Sequence, residues 1–288
     1  MSFFSRLLKI IFVISVLSYG SLFGDVLKIN YPSRENSVDS LYQIALLKFI
    51  LNKANVPYEL TARNGFSGAR TLAELKSGKN INLYWMGTSE LMEKELTPIR
   101  YPLFRGLLGH RIFIINKKEQ AKFDKVKNLQ DLKKLKGAQG IGWSDIAILE
   151  NAGLKQYATG YENIFKMLNS GGRIAYFSRG LSEAFSEVDA RKKTFSNLKV
   201  EDNILLVYPL AMFFFVNPND KPLIAALNKG FKLAYADGSF EEFFYNHPII
   251  KASLKNAHLN KRIKIKIENP FLTNETKNID KKYWHTIQ

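Results

Sequence analysis

The strongest constraint on the fold of this chain is a repeated alternation of short β-branched or aromatic runs with helical stretches, starting at Val26. Residues 26–31 read as a strand that ends in the polar loop from Pro32 to Asn36. Asp39 or Ser40 can cap a helix in which Leu41, Ile44, Ala45, Leu47 and Leu51 recur at helical spacing. Residues 58–62 form a second predicted strand. Residues 67–76 form a short helix closed by Gly78, and residues 81–85 a third strand running into Met86-Gly87-Thr88-Ser89. A β-α-β-α-β order requires right-handed crossovers and a mainly parallel sheet.

A second unit of the same style follows. Its predicted parts are a strongly apolar strand at 108–115, a short helix at 129–135 and a strand end at 141–143. Then come a helix capped by Ser144 or Asp145, a helix at 161–168 stopped by Gly171-Gly172, and a strand at 174–177 opening onto Ser178-Arg179-Gly180. Another helix starts near Ser182. The apolar run 204–216 is interrupted by Pro209 and reads as a strand that travels from one lobe to another. Helices at 222–235 and 240–245 complete the pattern, which contains no internal repeat. With 288 residues, 46% hydrophobic and 24% charged, the chain is globular and sized for one large or two ordinary domains. A disordered chain and a multi-span membrane protein are both excluded.

Residues 1–24 read as an export signal. Arg6 and Lys9 precede an apolar stretch at 10–17, followed by Ser18-Tyr19-Gly20 and a second candidate stop at Gly24. The stretch falls well short of the roughly 20 residues that span a bilayer, so cleavage near Gly20 or Gly24 and a periplasmic location are expected. The absence of cysteine removes disulfides, thiol catalysis, Cys-ligated zinc and a lipid-attachment cysteine. The net charge of +16 suits nucleic acid, anionic lipid or an acidic ligand, and export leaves nucleic acid unsuitable. Much of the excess lies in 246–288, where Lys261-Arg262-Ile263-Lys264-Ile265-Lys266-Ile267 reads as an edge strand guarded by cations or as a docking surface for anionic lipid or cell-wall polymer, export disfavouring nucleic acid.

In open α/β sheets ligands bind beyond the carboxyl ends of the strands. The candidates there are Tyr31, then Trp85, Thr88 and Ser89, then Trp143, Ser144 and Asp145, and finally Arg179. Two of these places set a tryptophan beside a helix-capping hydroxyl, an apolar wall with polar groups for a small ligand. Arg179 can grip a carboxylate or phosphate bidentately, or pair with Glu183 four residues on. Glu183 and Glu187 are an i,i+4 carboxylate pair, readable as the acid and base of a hydrolase or as a solvated helix face. The histidines 110, 247, 258 and 285 have no metal spacing. There is no P-loop and no Gly-x-Ser-x-Gly elbow, and Gly140-Ile141-Gly142 lacks the third glycine of a dinucleotide fingerprint. The balance favours a binding protein over an enzyme, with no cofactor and no metal.

The layout resembles bacterial extracellular solute-binding proteins of family 3, the type II periplasmic binding proteins. The likeness is carried by a first α/β unit, the crossing strand Gly106-Leu107-Leu108-Gly109-His110-Arg111-Ile112-Phe113, a second unit introduced at 129–137, and a returning strand. A closing segment at 219–238 completes it. The resemblance implies two lobes joined by two hinge strands, each lobe a mainly parallel sheet flanked by helices. Lobe 1 would span 25–110 and 214–288 and lobe 2 would span 111–213. It further implies a monomer that closes on a small solute and delivers it to a membrane permease, such as that of an ABC transporter, or to a receptor. Amino-acid-binding members hold the ligand carboxylate with an arginine after the third strand and its ammonium with a lobe-two acid; here Met92 and Arg179 stand at those places. A polar or anionic, partly apolar solute is therefore expected. The alternative on the same fold is an exported sensory or interaction protein that binds a protein partner or a cell-wall fragment.

Overall fold

The computed structural model describes residues 25–32, 41–66 and 68–285, so the expected signal segment and the caps Asp39 and Ser40 lie outside the described residues. Strands β1 (Leu27–Pro32) and β2 (Tyr58–Arg63) pair in parallel, with Leu27 opposite Tyr58. Helix α1 (Leu41–Ala54) connects them and buries Leu46, Leu47, Ile50 and Leu51. Helix α2 (Gly68–Ser77) leads to β3 (Leu83–Gly87), and α3 (Glu90–Glu95) leads to β4 (Thr97–Ile99). Asn82 couples β1 to β3. Its N–H donates to the Asn30 carbonyl at 3.0 Å, and its side-chain amide donates to the Lys28 carbonyl at 3.0 Å.

The second sheet begins with β5 (His110–Asn116), which follows a tight helical turn at Leu107–Gly109. After the short helices α4 (Gln120–Phe123) and α5 (Leu129–Leu132) come β6 (Gly137–Gly140), α6 (Asp145–Asn151), β7 (Gln156–Thr159) and α7 (Tyr161–Ser170). They are followed by β8 (Tyr176–Gly180), α8 (Leu181–Arg191), β9 (Leu198–Val200) and β10 (Ile204–Val207). Strand β6 runs parallel to β7 and β8, and β5 lies antiparallel to β8, β9 and β10. The apolar run 204–216 is two strands. Pro209 separates β10, in this sheet, from β11 (Met212–Val216), which inserts antiparallel between β3 and β4 in a three-stranded sheet of the first lobe. Thus β5 and the β10–β11 passage are the expected hinge connections.

Helix α9 (Lys221–Ala236) packs across α1 at Gly230, where a Cβ would lie 2.1 Å from the Ile50 carbonyl oxygen. Helix α10 (Ser239–Asn246) follows on the same lobe. The chain then departs from the expected layout. Helix α11 (Pro248–Ala257) packs against α8, and β12 (Ile263–Lys266) pairs in parallel with β10 at the edge of the second sheet. The expectation that all of 214–288 belongs to lobe 1 is therefore corrected. Ile265 is buried beside β10 while Lys264 and Lys266 face solvent, and Arg262 donates to the Glu201 and Ile204 carbonyls at 2.6 and 3.0 Å. An apolar stripe and an anchored guanidinium select that edge, and the lysines protect it. The short helix α12 (Asn274–Lys277) then returns to the first lobe. Among the described residues, no helix is long and apolar enough to cross a membrane.

Candidate interlobe site

At the end of β3 the backbone reaches the interface between the lobes. Trp85 is 6% exposed, lies 5.6 Å from the Tyr31 ring and meets Phe214 edge-on. Thr88 is buried; its N–H donates to the Ala211 carbonyl at 2.9 Å and its hydroxyl to Glu93 at 2.5 Å. The Ser89 hydroxyl accepts from the Met92 N–H and so caps α3.

Across the interface, β6 ends at Gly140, earlier than expected, and the chain turns through Gly142 with φ 81°. The Trp143 indole lies over Gly140, where a Cβ would sit 2.5 Å from the ring, and it stacks on Phe177 at 6.0 Å. Ser144 precedes α6, but its hydroxyl caps nothing. It faces β3 instead, with Oγ 3.1 Å from the point a Cβ on Gly87 would occupy. Gly87 thus permits the two lobes to touch here.

Asp145, expected beside the ligand, is instead buried between Tyr208 and Arg111. It accepts from the Tyr208 hydroxyl at 2.5 Å and pairs with Arg111 at 3.1 Å. Arg111 also donates to the Leu108 and Ser178 carbonyls at 2.9 and 2.8 Å. Burial works against the charge of Arg111, yet Asp145 and Tyr208 more than offset it and raise its pKa. Burial, with Asp145 next to it, pushes the Tyr208 phenol well up. This network ties β5 to β10 through α6. Neither Arg111 nor Tyr208 was expected in the site, and the sequence signal was a single cation inside the apolar run 107–115.

Arg179 lies within β8 rather than beyond it, because Ser178–Gly180 continue the pairing with β5. Its Nε donates to both Glu187 oxygens at 2.9 and 2.8 Å, and its Nη2 reaches Glu187 at 2.5 Å and Glu183 at 3.0 Å. The guanidinium is layered on Trp143 and Phe177, 4.8 and 4.9 Å from their centroids. The ion-pair reading is the one this geometry displays, and it includes Glu187 as well as Glu183. Glu187 is fully buried and also accepts from the Tyr161 hydroxyl at 2.7 Å, so it does not face the cleft as one partner of a hydrolytic acid and base would. Among the described residues, no cluster of three His, Cys, Asp or Glu side chains could hold a metal.

Between α1 and α8 remains a void of about 10 Å³ lined by Tyr42, Gln43, Phe104, Ser182, Glu183 and Ser186. Gln43 Oε1 and Ser182 Oγ are buried there without a hydrogen-bond partner. The space is that of about one water.

The described fold is the two-lobed periplasmic-binding-protein fold. An ancestral arginine-binding protein bound to arginine superposes with TM-score 0.55 at 20% identity, covering 77% of this chain and 97% of that one. An amino acid ABC transporter substrate-binding protein from Streptococcus pneumoniae, bound to L-arginine, gives 0.56 at 16% identity, covering 79% and 94%. A histidine kinase sensor domain with similarity to periplasmic binding proteins gives 0.53 at 14% identity, covering 76% and 93%. By sequence, no family model and no curated protein matches the chain.

Proposed function

We propose that this chain is an exported solute-binding protein that closes its lobes on a small polar solute and presents it to a membrane transporter or receptor. The observation that carries this reading is the apposition of Gly87 and Ser144, two strand-end positions on different lobes, between the Tyr31–Trp85 wall and the Trp143–Phe177 wall. Ligands of open α/β sheets sit in this position, and the likeness to amino-acid-binding proteins supports it. Tyr31, Trp85, Ser89, Trp143 and Ser144 are the proposed contacts. Thr88 and Asp145 position the two edges of the site. Arg179, held by Glu187, fixes the plane of Trp143, so the proposed solute is polar with an apolar body rather than an anion gripped by a free guanidinium. Lobe 1 is proposed to comprise 25–110 with 211–246 and the end of the chain, and lobe 2 to comprise 111–210 with 248–268.

The test is a thermal-shift screen of ligand-free protein against amino acids, organic acids, sugars, short peptides and cell-wall fragments. A solute at about a hundredfold over its Kd adds about 2.7 kcal/mol of stability. Trp85→Ala and Trp143→Ala should each weaken the solute found by at least about tenfold, or about 1.4 kcal/mol. Silence across the screen would favour the second reading, a sensory or interaction protein, which the one-water void between α1 and α8 and the likeness to a sensor domain support.

A further inference from the structure

The chain does not cross between the lobes only at its hinge strands. It crosses again between α10 and α11, and once more after β12. The last crossing is bonded at every stage. It starts on lobe 2, where the Ile263 N–H donates to the Asn203 carbonyl at 2.7 Å and the Ile267 N–H to the Val207 carbonyl at 2.9 Å. It passes the hinge, where the Asn269 side chain donates to the Pro209 carbonyl at 2.8 Å. On lobe 1 the Phe271 carbonyl accepts from the Glu90 N–H at 3.0 Å, and the Thr273 and Thr276 hydroxyls donate to Glu93 at 2.8 and 2.6 Å.

The far end is seated as firmly. Arg105, 5% exposed and two residues before the turn that leads into β5, donates to the Lys282 carbonyl at 3.0 Å, and its own carbonyl accepts from the His285 N–H at 2.7 Å. The Trp284 ring covers Gly106, where a Cβ would lie 2.5 Å from it. Tyr283 meets Tyr101 and Tyr235 edge-on at 5.3 and 4.5 Å. A hinge of two strands bends at low cost. A further tie, bonded to the sheet of one lobe, to the hinge and to the helix after β3 of the other, must detach at one end before the lobes part.

We propose that residues 258–285 are a strap that fastens the two lobes in the closed arrangement, so that opening requires its release. The consequence for solute entry rests on the proposed function, whereas the strap itself does not. The Glu93 contacts are the part of the strap that substitution can remove, because Thr273 and Thr276 reach Glu93 through side-chain hydroxyls whereas β12 is held by a sheet ladder.

The absence of cysteine makes the test direct. Lys79→Cys on lobe 1 and Lys155→Cys on lobe 2, both at exposed positions, carry spin labels in the otherwise complete ligand-free chain. Pulsed dipolar spectroscopy then reads the separation of the lobes. The wild-type background should give one narrow distribution. Asn269→Ala combined with Thr273→Val and Thr276→Val should raise hydrogen exchange of 270–285 by about tenfold or more. The same change should add a broader, longer population, with the circular dichroism of the parent kept. A second variant, with a protease site inserted between Glu268 and Asn269 and cut after purification, should show the same long population. Released tails with an unchanged separation would overturn the proposal, and so would exchange at 270–285 that the substitutions leave unaltered. Because no solute is added, failure to find a ligand leaves this outcome untouched.

Discussion

A buried guanidinium is tolerable only when its charge and its donors are met, and Arg179 meets both through Glu187, Glu183 and two aromatic faces. Removing one partner of such a pair leaves an uncompensated buried charge, which costs far more than the intact pair contributes. Glu187→Ala should therefore lower stability by about 3–5 kcal/mol in urea denaturation. Glu183→Gln, at a partly exposed side chain, should cost much less. Equal effects would show that the two carboxylates share the charge differently from the geometry above. Glu93 has the opposite character. Burial alone would raise its pKa, but hydrogen bonds from Thr276, Thr88, Thr273 and Arg100 more than offset this and hold it below the ordinary carboxylate range. A carboxylate lowered in the native state stabilises fully above its unfolded pKa of about 4.3 and loses that contribution as pH falls through the native value. The hydrogen-exchange protection of 270–285, referred to the intrinsic amide rate at each pH, should accordingly fall below about pH 4.3, and Glu93→Gln should flatten that dependence. Protection of 270–285 that stays constant from about pH 7 to about pH 3 in the wild type would contradict this.

Among the elements, α1 and α9 approach closely because Gly230 has no side chain, and Gly230→Ala should cost about 1–3 kcal/mol by forcing the helices apart. Thermal or urea unfolding reads this directly, and a neutral substitution would mean that α9 can slide without penalty. These two helices were also the most legible parts of the sequence, since their periodicity repeats over 14 and 16 residues. Strands β4, β7 and β9, with three or four residues each, are too short for any period to be read. Trp85 lies within β3, and Trp143 and Ser144 follow the end of β6 by three and four residues, so chain order alone brings all three near strand ends. The role of Arg179 was not legible, because a strand that runs three residues past the apolar run turns an apparent loop cation into a core one. The network of Arg111, Asp145 and Tyr208 joins residues far apart in sequence, and only the folded chain brings them together. The same holds for the tail, whose alternating isoleucines and lysines announce an edge strand without naming the sheet it joins.

At the scale of the whole molecule, the fold supplies two lobes and a pair of hinge strands, and this chain adds a tie across them. The lobes meet at Gly87 and Ser144 between aromatic walls, so under the proposed function capture of a solute and relaxation of the proposed tie belong to one equilibrium. A ligand shifts such an equilibrium only by its differential affinity for the two arrangements. Solute contacts made from both lobes should therefore tighten the closed form and slow exchange in the tail as well as at the site. The most direct test of solute capture is a fluorescence titration, since Trp85 and Trp143 are two of the three tryptophans. Titration with a solute found by thermal shift should give a saturable change in emission, with the calorimetric Kd, that is lost when both are replaced by phenylalanine. A solute that binds with its full calorimetric affinity to the doubly replaced chain, and leaves the wild-type emission unchanged, would place binding elsewhere and contradict the interlobe site.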